Sequence, residues 1–206
     1  LYRYPAPRLS AEMIRDNALA ASGLLNDTMG GAPAKPYDIS VSFKPSSISK
    51  GNDLYRRSLY TYWRQTSPAP MMTTLNASKR DVCRVSLEKT DSPLQGLVLL
   101  NSPQFVEAAR KLAESLVTEY GNDNDAIINE TYRRLTSRQP NEKEWPVLRQ
   151  LVKEQEAHFE NSLNKANELI SVGNSKAPET KNPARIASVT TLVSTVMNFD
   201  ECITKR

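Results

Sequence analysis

Hydrophobic residues recur at helical spacing through the second half of the chain, and capping residues mark where each predicted helix begins. Ser92 and Ser102 each precede a proline, which is favoured in the first helical turn because its missing N–H would be unpaired there. Gly121 follows the apolar stripe of the second helix, as expected of a C-terminal glycine. The pattern predicts five helices, which cover residues 92–100, 102–120, 123–136, 141–172 and 182–197.

The first 90 residues follow a different pattern. Ser10 is the expected N-cap of an amphipathic helix over residues 11–25. Residues 26–49 then turn to glycine, proline and serine. One alternation in this stretch could make a short strand, formed by Ile39, Val41 and Phe43. Because the stretch also carries aromatic side chains, a loop that packs on the body is favoured over a disordered tether.

Arginine and aromatic residues concentrate in residues 51–65, where periods of 2 and of 3.6 fit about equally well. Residues 66–76 include Pro68 and Pro70, which exclude a regular helix. A capped turn at residues 78–81 leads into a short extended segment at 82–85.

The predicted fold is therefore mainly α, with at most short strands. Residues 91–206 form a helical bundle, and residues 1–90 contribute an N-terminal helix and a long irregular, aromatic-rich arm. We expect both regions to belong to one domain of 206 residues.

Composition removes most of the usual catalytic repertoire. The chain has one histidine, His158, and two cysteines, Cys83 and Cys202. A zinc site of cysteine and histidine ligands cannot be assembled from them, and no metal ligands are assigned. The Cys-x-x-Cys-His motif that attaches haem is absent. His158 lies on the polar side of a predicted helix without a neighbouring nucleophile, so we interpret it as a surface residue. No run approaches the roughly 18 apolar residues of a membrane helix.

Positive charge is concentrated in the arm. Residues 1–90 carry a net charge of +6, from 13 Lys and Arg against 7 Asp and Glu, whereas residues 91–206 carry −2. The candidate binding or interface residues are Arg56, Arg57, Tyr60, Tyr62 and Trp63. Guanidinium groups and aromatic faces together suit carboxylates, phosphates, sugars or bases. The alternative is that the aromatics anchor the arm while the arginines pair with the acidic surface of the bundle. Nucleic acid is disfavoured because the basic residues are scattered through loops.

Two interpretations of the cysteines stay open. In an exported protein Cys83 and Cys202 could pair, and closing so long a loop would constrain the unfolded chain by a few kcal/mol. In a reducing compartment two buried free thiols would be the default.

Several sequence blocks, taken together and in this order, resemble a known family. The blocks are Arg8–Asp16, Ala21–Leu24, Tyr55–Arg64, Asp81–Cys83, Thr90–Gln95, Leu97–Arg110 and Asn198–Glu201. They are similar to the C-terminal domain of unknown function in large exported proteins of planctomycetes and verrucomicrobia. Those proteins carry a planctomycete-type cytochrome c domain near the N-terminus.

The resemblance implies a domain organisation and a cellular location rather than a catalytic activity. It implies a multidomain, extracytoplasmic polypeptide, periplasmic or at the cell surface, of which this chain is expected to be the C-terminal portion because it also begins without methionine. Haem c would belong to an upstream part, with no cofactor in this segment. No catalytic residues are carried over. Cys83 matches a cysteine common in its block of the family, whereas Cys202 stands where another residue is expected.

Three functional hypotheses follow. The first is a structural or interaction module that docks against other domains of its parent polypeptide through the arm residues named above. The alternative is part of an enzyme or carbohydrate-binding cleft completed by a neighbouring domain, with a pocket lined by Arg57, Tyr60, Trp63 and a carboxylate. The third is an electron-transfer partner of the haem domain, with the same aromatics buried against haem.

Overall fold

The computed structural model describes residues 7–37, 47–64, 68–79, 83, 85–86 and 90–204. Within these residues the chain forms nine α-helices and no sheet, which confirms the mainly α fold. The helices are α1 (Ala11–Ala21), α2 (Pro70–Thr74), α3 (Pro93–Asn101), α4 (Pro103–Tyr120), α5 (Asn124–Thr136), α6 (Glu144–Glu160), α7 (Leu163–Ile170), α8 (Pro183–Met197) and α9 (Asp200–Ile203). Two short 3-10 turns, Gly51–Tyr55 and Ser58–Tyr60, lie in the arm.

Helix α8 lies at the centre of the bundle. It packs against α4, α6 and α7, and every residue from Ala184 to Thr190 is buried. Its side chains are mostly small or β-branched, which lets neighbouring helices approach it from several sides. The apolar stripe of α4 meets it through Leu112 and Leu116, neither of which is exposed to solvent. Burial of these stripes supplies the main driving force for folding.

Most predicted boundaries in the bundle are confirmed to within about two residues. α3 and α4 begin at the prolines that follow Ser92 and Ser102, and Gly121 ends α4 with a φ of 58°. α6 begins at Glu144, three residues after the predicted start, but the predicted contacts between Asn141 and Glu144 are formed. Asn141 Oδ1 accepts from the Glu144 N–H at 3.0 Å, and the Glu144 carboxylate accepts from the Asn141 N–H at 2.7 Å.

The first predicted helix is too long, because α1 ends at Ala21 rather than Leu25. Gly23 adopts a φ of 73°, and the N–H groups of Leu24 and Leu25 both donate to the Leu19 carbonyl. This is a glycine-terminated helix end, in which the left-handed residue lets the chain reverse onto the last turn. The glycine signal outweighs the apolar residues that follow it.

The predicted helix over residues 141–172 is interrupted. α6 ends at Glu160, Asn161 Nδ2 folds back on the Ala157 carbonyl, and α7 begins at Leu163. Two short helices were not predicted: α2, in which Pro70 occupies the first turn, and α9. The exclusion of a helix from residues 66–76 is therefore wrong.

The strand predicted at Ile39, Val41 and Phe43 lies outside the described residues, as does most of the extended segment at 82–85. His158 is exposed on α6, which confirms its interpretation as a surface residue. In the part of the chain that the structure describes, none of the helices is both long enough and apolar enough to cross a membrane.

Buried arginines, rather than a sheet, fix the irregular segments of the described chain. Its strand-type pairings among the described residues are isolated bridges, such as Asn26 with Arg56. The buried arginines are Arg15, Arg56, Arg110 and Arg185. Each donates to backbone carbonyls of a non-helical segment, so backbone groups that have no helical partner are satisfied by a guanidinium.

Candidate functional site

The five predicted interface residues lie together but do not face one way. Arg56 is 4% exposed, and its guanidinium donates to the carbonyls of Ala32 at 2.5 Å, Thr28 at 3.2 Å and Gly30. The same guanidinium lies 4.2 Å from the centre of the Tyr60 ring. Arg56 therefore recognises a loop of its own arm and presents little surface to a partner.

The other members lie closer to the surface. Arg57 is exposed and pairs with Asp27 at 2.9 Å. Tyr62 is half-buried with the Lys35 ammonium 5.3 Å from its ring centre, and Trp63 is half-buried against the main core. The expected pairing of these arginines with the acidic surface of the bundle is wrong for Arg56 and Arg57. Both bind groups of the arm itself.

Helix α1 fixes the arm through a buried arginine that the sequence analysis did not single out. Arg15 is 2% exposed. Its guanidinium donates to the carbonyls of Leu54 and Arg56, both at 2.9 Å, and to Gln104 Oε1 at 2.7 Å. Burial lowers the pKa of Arg15 to about 10, and the nearby Asp16 carboxylate opposes that shift. The sequence signal was an arginine on the apolar face of α1, between Ala11 and Ala18.

Helix α4 contributes a buried carboxylate to the same arm. Glu107 is 1% exposed, and its Oε1 accepts from the Tyr55 hydroxyl at 2.7 Å. It also accepts from the N–H groups of Asn174 at 3.0 Å and Ser175 at 2.6 Å, with Arg110 Nη2 at 3.9 Å. Burial, with the adjacent carboxylate, raises the pKa of the Tyr55 hydroxyl well above its usual range. One carboxylate thus joins the arm, α4 and the loop before α8.

Gly173 permits this close approach of the loop to Glu107. Its φ is 107°, and a Cβ placed there would lie 2.5 Å from the Glu107 side chain. We expect Gly173→Ala to lower the free energy of unfolding by roughly 2–4 kcal/mol, since backbone strain and the steric clash add. Gly30→Ala is the matched control, because Gly30 has a φ of 74° but open space around its Cβ position. Urea denaturation of both variants measures the difference, and equal losses would show that the clash is relieved without cost.

The two cysteines lie in different environments. Both are free thiols, with Cys83 exposed and Cys202 partly buried, so the disulfide interpretation is not realised in this structure. Burial raises the pKa of the Cys202 thiol to about 12, and its Sγ donates to the Val196 carbonyl at 3.2 Å. Among the described residues, no group of three or more histidine, cysteine or acidic side chains is arranged to hold a metal ion.

Two clefts remain as candidate sites. The first is an apolar groove of about 520 Å³ between α2, α3 and the arm, which we call the α3 groove. The second is a polar cleft of about 530 Å³ between two arm turns and residues 174–175, which we call the arm cleft. Neither is lined by Arg57, Tyr60 or Trp63, so the pocket predicted for the alternative hypothesis is not formed by either.

Comparison with known proteins places the chain in a family. No curated protein sequence and no solved structure matches it. The family model for PSD1, described as a protein of unknown function (DUF1553), matches residues 1–152, which include the arm and α1 to α5. This match confirms the expectation that the chain contains a domain of unknown function. Since the match covers about three quarters of the 206 residues, the chain belongs to the PSD1 family of proteins of unknown function (DUF1553).

Proposed function

We propose that the chain is a non-catalytic interaction module that docks against another domain of its parent polypeptide. The observation that carries this proposal is the outer face of α3. Leu94, Leu97 and Leu100 are 59%, 54% and 40% exposed and follow one another at three-residue spacing. Isolated exposed leucines need no explanation, but a contiguous apolar helix face is typical of an interaction site.

The α3 groove extends this face inward. Leu97 and Val98 form one wall, and Met71 with Tyr37 lies opposite. Methionine side chains adapt to differently shaped apolar partners, since they are unbranched and polarizable. The surface therefore combines a flat helix face with a depression that can receive side chains.

The scarcity of charge on α3 and in the α3 groove indicates which kind of partner binds there. Helix α3 contains no charged residue, and among the described residues that line the groove the one charged residue is Glu107, whose carboxylate is engaged by the arm. A charged partner would lose its water here without gaining a counter-ion, which is costly. The partner we propose is the uncharged apolar face of a helix, laid into the groove with side chains at three- and four-residue spacing.

This location revises the interface predicted from the sequence. Arg56 is committed to its own loop, and the arm residues serve mainly to fix the arm, so the exposed apolar surface on α3 is the better candidate. The resemblance of the sequence blocks supports the rest of the proposal. It suggests that the partner domain belongs to an exported, extracytoplasmic polypeptide with haem c in an upstream domain.

Site-specific photo-crosslinking in the parent polypeptide tests this proposal. A photoreactive amino acid replaces Leu97 in one variant and Val147 in the control, because Val147 on α6 is similarly exposed, at 67%, but lies outside the α3 surface. We expect mass spectrometry to find cross-links from position 97 to a helix of another domain at several times the yield from position 147. Equal yields, or cross-links from position 97 only to a second copy of the chain, would overturn the proposal.

A further inference from the structure

The arm cleft differs from the α3 groove in chemistry. It is bounded by residues 23–27, by the turn that contains Gly51 and Asn52, and by Asn174 and Ser175. Its volume of about 530 Å³ lies within the range of small-molecule sites, roughly 300–1,000 Å³. Gly23 and Gly51 both adopt positive φ, and nothing lies within 4 Å of the Cβ position of either, so they leave the cleft open.

The walls of the arm cleft are fixed by hydrogen bonds made behind it. The Asn26 N–H donates to the Tyr55 carbonyl at 3.0 Å, and Asn26 Nδ2 donates to the Asn52 carbonyl at 3.1 Å. On the opposite side the Ser175 N–H donates to the buried Glu107 carboxylate at 2.6 Å. A ligand would therefore meet a preformed surface, which reduces the entropy lost on binding.

Two side chains at this cleft have unused hydrogen-bonding capacity. Among the described residues, the side-chain amides of Asn52 and Asn174 have no hydrogen-bond partner, and both residues are exposed. Each amide offers two donors and one acceptor. Neighbouring hydroxyl groups of a sugar each donate and accept, so paired amides match them on both counts.

The electrostatics of the arm cleft exclude a charged ligand. Among the described residues that line it there is no lysine or arginine, so a phosphate or carboxylate would lack a counter-ion. Its one acidic residue, Asp27, is already paired with Arg57 at 2.9 Å, which weakens any attraction for a cation. The half-buried Leu24 and Leu25 add an apolar surface of the kind that the C–H face of a pyranose ring can cover.

From this lining we infer that the arm cleft binds a neutral carbohydrate. Asn52 and Asn174 would hydrogen-bond the sugar hydroxyls, while Asp27 would present a further acceptor at the rim. The inference is independent of the docking surface on α3.

Isothermal titration of the parent polypeptide with four defined oligosaccharides tests the inference. The probes are cellohexaose, xylohexaose and chitohexaose, which are neutral, and hexagalacturonate, which is anionic. The variants are Asn52→Ala/Asn174→Ala and the control Asn122→Ala/Asn164→Ala, in which both replaced asparagines are exposed and lie outside the cleft. Because all four residues are exposed, circular dichroism should report native folds for both variants.

We expect at least one neutral probe to bind the wild type and the control equally, and the cleft variant about tenfold or more weakly. A tenfold loss, about 1.4 kcal/mol, is what the removal of two exposed hydrogen bonds should cause. Undiminished binding by the cleft variant would overturn the inference, since a sugar site would then lie elsewhere in the parent. The absence of binding by every neutral probe at millimolar concentration, or tighter binding of hexagalacturonate, would also overturn it.

Discussion

Replacing Glu107 with alanine is expected to lower the free energy of unfolding by about 3–5 kcal/mol, because one buried carboxylate satisfies three donors from two distant segments. Its removal leaves the Tyr55 hydroxyl and the N–H groups of Asn174 and Ser175 without their acceptor. The buried Tyr55 hydroxyl costs about 1–3 kcal/mol when it is left without an acceptor, and the part-buried N–H groups of Asn174 and Ser175 cost less because water can reach them. The buried guanidinium of Arg110 also loses a nearby negative charge, although it keeps Glu114 at 2.5 Å. Urea denaturation followed by circular dichroism measures the change.

Glu119→Ala is the matched control for this variant. Glu119 lies on the same helix, but its side chain is 49% exposed and pairs with Arg134 at 3.2 Å. A surface ion pair of this kind contributes less than about 1 kcal/mol. Similar losses in the two variants would contradict a special role for Glu107. A second readout is the pKa of Tyr55, which we expect to fall in a Glu107→Gln variant because the negative charge beside it is gone.

The helices of the bundle could be predicted from the sequence because the residues that start them act within one helical turn. The Ser-Pro pairs before α3 and α4 and the capping box at Asn141 set conformation within one turn. The break at Asn161 was not foreseen, since the apolar spacing continues through it and no proline or glycine marks it. The end of α1 at Ala21 shows the opposite error. Gly23 marks the end of this helix, but the apolar residues Leu24 and Leu25 extend the predicted helix beyond it.

The arm illustrates why a candidate site is harder to predict than a helix. The sequence drew attention to Arg56 because it stands among aromatics, but its ligands are carbonyls more than 20 residues away in the chain. Nothing in local spacing tells a guanidinium that faces solvent from one that closes an irregular loop. The arm cleft was missed for the same reason, since Asn52 and Asn174 come from distant segments that only the fold brings together.

Replacing Arg15 with methionine is expected to loosen the arm more than the bundle. Methionine keeps a long apolar side chain but removes the donors to Leu54, Arg56 and Gln104. Part of that loss is offset, because a buried guanidinium is costly to desolvate, as its lowered pKa of about 10 indicates. Two buried carbonyls without donors still cost about 1–3 kcal/mol each. We therefore expect a net loss of roughly 2–4 kcal/mol in the free energy of unfolding.

Native-state hydrogen exchange separates this prediction from general destabilisation, because it reports each segment of the chain. In Arg15→Met the exchange of the amides of residues 51–61 should accelerate at least tenfold more than that of the α8 amides, which change only by the global loss. Arg149→Met is the control, since Arg149 makes an exposed pair with Asp125 at 2.7 Å and should cost less than about 1 kcal/mol. If residues 51–61 and α8 responded equally to Arg15→Met, the arm and the bundle would unfold as one cooperative unit. In that case Arg15 would stabilise the domain as a whole, and the arm would not be a separately anchored segment.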